Sequence, residues 1–396
     1  MKEHWLLDRD ITFLNHGSFG ATPIAVLAKQ DEYRTQMERE PVRFMVRELE
    51  PLLDAARQTL AGFIGADPEG LAFVPNATAG VNGVLRSFDL DKHDQLLVTN
   101  QEYNACRNAI EFVAQLAGCK VVVVQTPFPI KSPEVIVDRI LEHVTEHTRL
   151  LLIDHVTSQT ALIQPVERLV RELDHRGIDT LIDGAHAPGM IPLNVRDIGA
   201  AYYVGNLHKW VCAPKGAGFL YVRENRRAGV RPIAISHGAN SERTDRSRYH
   251  LEFDWNGTFD PSAWLAVTEA IRFVGSLVAG GWPEIMRRNH QLALLGRNIL
   301  ASALEIERPV PDAMLGSMAS LTLPDGNASS APSLYGDPLQ DALLGQFRIE
   351  VPVVPWPHAP KRLLRISAQL YNDVSDYERL AEALTTLLSL RREVPR

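Results

Sequence analysis

At 396 residues the chain has room for about two to three domains, and 45% hydrophobic with 22% charged residues describes a folded globular protein, not a disordered one. A net charge of −7, with basic residues dispersed, argues against nucleic acid or an anionic membrane as the main partner. Cys106, Cys119 and Cys212 show neither CxxC spacing nor a disulfide framework, so a reducing, cytoplasmic setting and no metal site are expected. The opening MKEHWLLDRD has no apolar stretch of a secretory signal, and the aliphatic runs Val121–Val124 and Leu150–Ile153 are of strand length only.

The first predicted strand, Leu71–Val74, runs into PNATAGVNGVL, Pro75–Leu85, which reads as a strand-to-helix junction with Asn76 as N-cap. Ala77, Thr78 and Ala79 then offer amides and a hydroxyl at the positive end of a helix, where a phosphate is readily held. By itself this is an ordinary capped helix. Strands follow at Gln95–Thr99, Lys120–Val124, Leu150–Ile153, Thr180–Ile182, Tyr202–Val204 and Gly218–Val222. Several are apolar on every residue, as strands buried on both faces are. Between them lie predicted crossover helices such as Asn104–Leu116 and Pro165–His175, so an α/β fold with a mainly parallel sheet is expected.

After about residue 260 the pattern changes. Ser262–Val278 and Pro283–Leu304 read as long helices, Ser320–Leu323 and Leu363–Ser367 as short strands, and Asp376–Leu390 as an amphipathic helix capped by Ser375. This implies a smaller α+β domain. His237–His250 and Asp325–Asp337, rich in Gly, Ser and polar residues, read as mobile, and the former is a candidate gate for the site. Arg243, Arg246 and Arg248 within it read as a solvated group, with contact to an anionic substrate as the minority alternative. The sequon at Asn327 carries no weight in a reduced protein.

Chemistry enters with TLIDGAHAPG, Thr180–Gly189, which puts Asp183 at the carboxyl end of a buried strand, the edge where open α/β sheets bind ligands. A carboxylate there is costly to bury unless a cation meets it. In GNLHKWVCAPKGAGFLYV, Gly205–Val222, Lys209 follows the next strand beside His208, 26 positions (209 − 183) after Asp183. Pyridoxal 5′-phosphate needs this pair: an amine to form a Schiff base, and an acid opposite the pyridine nitrogen. A desolvated pocket near other cations lets that amine lose its proton.

Read together, FLNHGSFG (Phe13–Gly20), NATAGVN (Asn76–Asn82), DGAHAPG (Asp183–Gly189), GNLHKW (Gly205–Trp210) and LRIS (Leu364–Ser367) resemble the class V aminotransferase superfamily, within it the isopenicillin N epimerase-like group. The resemblance implies a fold type I homodimer. Its large cofactor domain would span residues 20–260, and its small domain 1–19 with 261–396. It implies Lys209 as the Schiff-base lysine, Asp183 as pyridinium partner, His186 beside the ring, and Tyr103 stacked on it. Thr78, Asn206 and His208 match phosphate contacts, Thr258 a phosphate contact from the partner subunit, and Ser158 a position near the cofactor hydroxyl. Arg365 matches the arginine that holds the substrate α-carboxylate, with Asn15, His16 and Gly17 near the substrate.

The shared first step is removal of the proton on Cα of an amino acid, with Lys209 as base. Epimerase-type chemistry is the leading expectation; a carbon–sulfur β-lyase acting on a cysteine conjugate and an aminotransferase are the alternatives, and a non-catalytic binding module is the last. No Cys follows Cys212, so persulfide formation on a loop before Arg365, as in cysteine desulfurases, is excluded. Cys106, Cys119 and Cys212 read as inert packing. An epimerase needs a second acid/base, for which His16, Tyr103 and Tyr371 are candidates.

Overall fold

The computed structural model describes residues 1–326 and 336–392; the Asn327 sequon and most of the Asp325–Asp337 stretch lie outside them. Among the described residues twelve strands form three sheets: β1 (Thr12–Phe13), β2 (Leu71–Val74), β3 (Gln95–Thr99), β4 (Lys120–Val124), β5 (Thr148–Asp154), β6 (Asp179–Gly184), β7 (Tyr202–Asn206), β8 (Gly218–Val222), β9 (Met318–Leu323), β10 (Ile349–Glu350), β11 (Val353–Pro355) and β12 (Arg362–Ser367). The large sheet runs β2-β8-β7-β6-β5-β3-β4. β3 to β7 are parallel, and β8 is antiparallel to both neighbours.

Strands β2, β3, β6, β7 and β8 are buried almost throughout, which is why they carry apolar residues on both faces. Helices cover the sheet on either side: Leu49–Ile64 and Val166–Asp174 contribute Leu53, Leu60, Leu169 and Leu173 to one core layer. Ala77–Leu85 and Asn104–Ala117 contribute Val81, Val84, Ile110 and Val113 to the other. The sheet register matters for function. Asp154 lies beside Asp183, Gly184 beside Gly205, and Asn206 beside Gly218, which also pairs Val74. Four strand ends therefore open on one rim of the sheet, where β-strand carboxyl ends bind ligands.

The second sheet is antiparallel, β11-β12-β9, and packs on the long helix Gly281–Ala303, against which the last helix, Val374–Arg392, lies in turn. The expected helix Ser262–Val278 is broken into Ser262–Leu265 and Val267–Ser276. The last helix is capped two residues earlier than expected: the Asp373 carboxylate accepts the Ser375 amide at 3.0 Å, so Ser375 lies inside the helix. β1 pairs in parallel with β10, so the segment near residue 12 joins the region that follows residue 260. No single helix among the described residues is long and apolar enough to cross a membrane.

The 237–250 segment is tied down. Arg243 pairs with Glu50 at 2.6 Å and with Asp245, Arg246 pairs with Asp54 at 2.8 Å and Asp254 at 2.9 Å, and buried Arg57 pairs with the same Asp254 at 2.6 Å. Arg243 and Arg248 keep the exposure of a solvated group, whereas Arg246 and Arg57 are largely buried. Arg243 and Arg246 fasten the segment to helix Leu49–Ile64 through a partly desolvated ionic network.

Candidate active site

At the rim, a cavity of about 390 Å³ is enclosed by the strand ends and by Ser18 and Phe19 of the N-terminal segment. Lys209 follows β7 with only 9% exposure, and its Nζ lies 3.0 Å from His186 Nε2. Burial first, then the Arg365 guanidinium, pull the Lys209 amine down to about 8. Trp210 Nε1 donates to His186 Nδ1 at 3.4 Å, which leaves the imidazole proton on Nε2, the nitrogen that faces Lys209. Burial keeps His186 neutral, its pKa well below the usual range.

Asp183 ends β6 with 3% exposure and accepts the Ala185 amide at 2.9 Å and the Cys106 thiol at 3.1 Å. The thiol is held protonated by burial and by the Asp183 charge. Cys106 is therefore more than packing, a role that its place on a predicted helix gives no hint of. Asp154, at the end of β5, also lines the cavity and was not singled out from sequence, because a lone Asp after an apolar strand has no motif of its own.

Asn76 caps the helix Ala77–Leu85 as expected, accepting the Ala79 amide at 2.9 Å. Asn206 Oδ1 accepts the Ala77 amide at 2.8 Å. Two of the three amides expected to face a phosphate are thus already engaged by side chains. Thr78 lines the cavity, and its amide finds no acceptor among the described residues. Tyr103, Ser158, His186 and His208 line the same cavity. Burial pulls His208 down to about 4.

Other residues marked from sequence stand elsewhere. Arg365, on β12, is 4% exposed and reaches the edge through two wall residues, donating to Ser158 O at 2.7 Å and to Ser18 Oγ at 2.8 Å. Asn15 accepts from Arg365 at 3.4 Å and donates to Glu350 at 2.9 Å. His16 is fully buried behind the lysine, with Nε2 3.0 Å from the Lys209 carbonyl and Nδ1 2.7 Å from the Tyr371 hydroxyl. It braces the main chain of the lysine loop and does not line the cavity, and Tyr371 is buried with it. Gly17 packs against Met318 and Ser367, where a Cβ would lie 2.5 Å from the Met318 sulfur. Thr258 is exposed and does not line the cavity of its own chain.

The Aminotransferase class-V family model matches residues 13–380. The chain belongs to the class V aminotransferases. Members use pyridoxal 5′-phosphate, and this one is a pyridoxal 5′-phosphate enzyme of fold type I. It is 38% identical to isopenicillin N epimerase of Amycolatopsis lactamdurans, over 98% of this chain and 97% of that protein. It is 32% identical to a probable chloroplastic L-cysteine desulfhydrase of Arabidopsis thaliana, over 96% of this chain and 84% of that one. Among solved structures, an Escherichia coli cysteine desulfurase superposes with a TM-score of 0.79 at 19% identity, covering 98% and 97% of the two chains. A cystine C–S lyase in complex with cysteine persulfide gives 0.78 at 20%, covering 95% and 98%. At those identities the likeness is one of fold.

The residues present fit the family's cofactor. A buried amine near neutrality, a carboxylate at the opposite strand end, and a helix N-terminus with an uncommitted amide at Thr78 surround one cavity.

Proposed function

We propose that this class V enzyme removes the α-proton of an amino acid with Lys209 as base and returns it, in isopenicillin N epimerase-like chemistry. The observation that carries this reading is the buried Lys209 amine, its pKa lowered to about 8, which lies 3.0 Å from a neutral His186 in the cavity that Asp183 also lines. Pyridoxal phosphate, when bound, supplies an electron sink for the charge left on Cα. Thr78 and His208 would hold its phosphate, Asp183 its ring nitrogen, Lys209 its aldehyde, and Tyr103 a ring face. Arg365 holds the substrate α-carboxylate at the cavity edge, where Ser18 and Ser158 fix the plane of the guanidinium. Lys209 then takes the proton, and the enclosing walls keep water from it.

One observation favours a second reading, a carbon–sulfur β-lyase. Of the three side chains eligible to return a proton from the opposite face, His16 and Tyr371 are bonded to each other behind Lys209, and only Tyr103 lines the cavity. Elimination needs proton removal and a leaving group but no second base. The test is incubation with amino acids and L-cysteine conjugates in deuterated water. Deuterium at Cα with inversion, lost in Tyr103→Phe, is the expected result. Pyruvate from the conjugates with no inverted product would transfer the assignment to the lyase.

The same proposal carries a cytoplasmic homodimer that handles a small-molecule amino acid and neither nucleic acid nor membrane. Support comes from the free thiols of Cys106, Cys119 and Cys212 and from the exposure of Thr258, which lies outside the cavity of its own chain.

A further inference from the structure

Behind the cavity lies an acid that the chemistry above does not use. Glu102, in the turn between β3 and helix Asn104–Ala117, is 7% exposed. Both of its carboxyl oxygens are buried, and no N–H or thiol donates to either. Its neighbour is the carboxyl group of Asp154, itself 4% exposed. An oxygen of Glu102, an oxygen of Asp183 and the Cys106 sulfur lie within 4.8 Å of one another. Facing this set are Arg107 from the helix, whose guanidinium bonds Glu111 at 2.6 Å, Tyr203 from β7, and Lys209 beyond it.

Three ionised carboxylates do not share one desolvated space. Donors decide which keeps its charge. Asp183 has two, the Ala185 amide and the Cys106 thiol, and Lys209 lies near it. Asp154 has one, the Tyr103 amide at 3.4 Å. Glu102 has none, so as a carboxylate it would be a buried charge without a single hydrogen bond. As a carboxylic acid it needs only an acceptor, and Asp154 provides one. Two carboxyl groups in hydrogen-bond contact require a proton between them.

We propose that Glu102 is a buried carboxylic acid that shares its proton with Asp154, so that Asp183 remains the separate anionic partner for the cofactor ring. Glu102 is thus a positioning residue: it touches no substrate, and it fixes the number of negative charges behind the ring at two. Burial first, and the Asp154 charge second, hold the Glu102 carboxyl well above the usual carboxylate range, in keeping with that assignment. The inference rests on the reading of Asp183 as the ring-nitrogen partner.

The test uses the cofactor-loaded enzyme. Its infrared spectrum at neutral pH contains a protonated-carboxyl stretch that shifts when glutamate is carbon-13 labelled and is missing in Glu102→Gln. In the visible band, Glu102→Gln leaves the pH midpoint where the wild type has it, because an amide donates to Asp154 as the acid does. Asp154→Asn removes a negative charge near Lys209 and lowers the midpoint by roughly one unit. Absence of the labelled stretch overturns the inference, and so does a midpoint in Glu102→Gln that falls as far as in Asp154→Asn. The labelled wild type alone decides the matter if the variants do not fold. A wild type with no visible band that Lys209→Ala abolishes would instead sink the cofactor assignment, and would leave the infrared result standing.

Discussion

The Lys209 amine sits near 8 because burial strips water from the ammonium form and Arg365 repels it. Only the neutral amine attacks an aldehyde, so the cofactor-free enzyme should capture pyridoxal phosphate faster as pH rises, with a midpoint near 8. Arg365→Met should move that midpoint upward. Stopped-flow absorbance of reconstitution measures both, and a midpoint that stays put in the variant removes Arg365 from the account. At this scale, legibility followed motif. Lys209, Asp183 and Asn76 each stand at a strand end inside a recognisable run. Glu102 and Asp154 do not, since their meaning depends on β3, β5 and β6 ending side by side. His16 was misread for the opposite reason: its motif is plain, but the side chain points behind the lysine loop.

Helix Ala77–Leu85 has to lie close to the sheet to present Thr78 to the cavity. Gly80 allows this, as a Cβ there would fall 2.6 Å from Val204 Cγ1. Gly80→Ala should therefore push the helix away and weaken cofactor affinity by about tenfold, or ~1.4 kcal/mol. The matched control is Gly62→Ala in the exposed part of helix Leu49–Ile64, where a Cβ meets nothing within 4 Å. It should leave affinity alone and add roughly 0.5–1 kcal/mol of stability. Titration of the visible band and thermal melts separate the two, and equal affinity losses in both variants would defeat the argument. The elements were read well from sequence where every residue of a strand is buried, as in β2, β3, β7 and β8. They were missed where pairing is non-local and brief, as in two-residue β1 and β10, which find each other across more than 300 positions.

Across the molecule, buried histidines set a floor on pH. His16 is lowered to about 3, and His155 and His208 to about 4, from 6.5, all mainly by desolvation. A base with a depressed folded pKa takes up its proton more readily when unfolded. Stability is therefore intact above 6.5 and falls as pH drops toward 4 and then 3. Each ring contributes on the order of a few kcal/mol over that interval. The melting temperature should fall steadily below pH 6.5, and His155→Gln should flatten the slope. A melting temperature indifferent to acid down to pH 4 would contradict the burial of these rings. Fold class and sheet were legible at this scale, whereas the ionic fastening of the 237–250 segment was not, since Glu50 and Asp54 come from a distant stretch.

The brace on the lysine loop has a consequence in time. His16 meets the Lys209 carbonyl across 193 positions, Lys215 meets the Gly20 carbonyl across 195, and the Gly17 amide meets Ser367 across 350. As the chain is synthesised from its amino end, residues 14–20 have nothing to dock on until the loop around residue 209 exists, and nothing to close them in until residue 367 has been added. The three braces on the lysine loop can therefore all close only late in the synthesis of the chain, once residue 367 has joined the segments around residues 17 and 209.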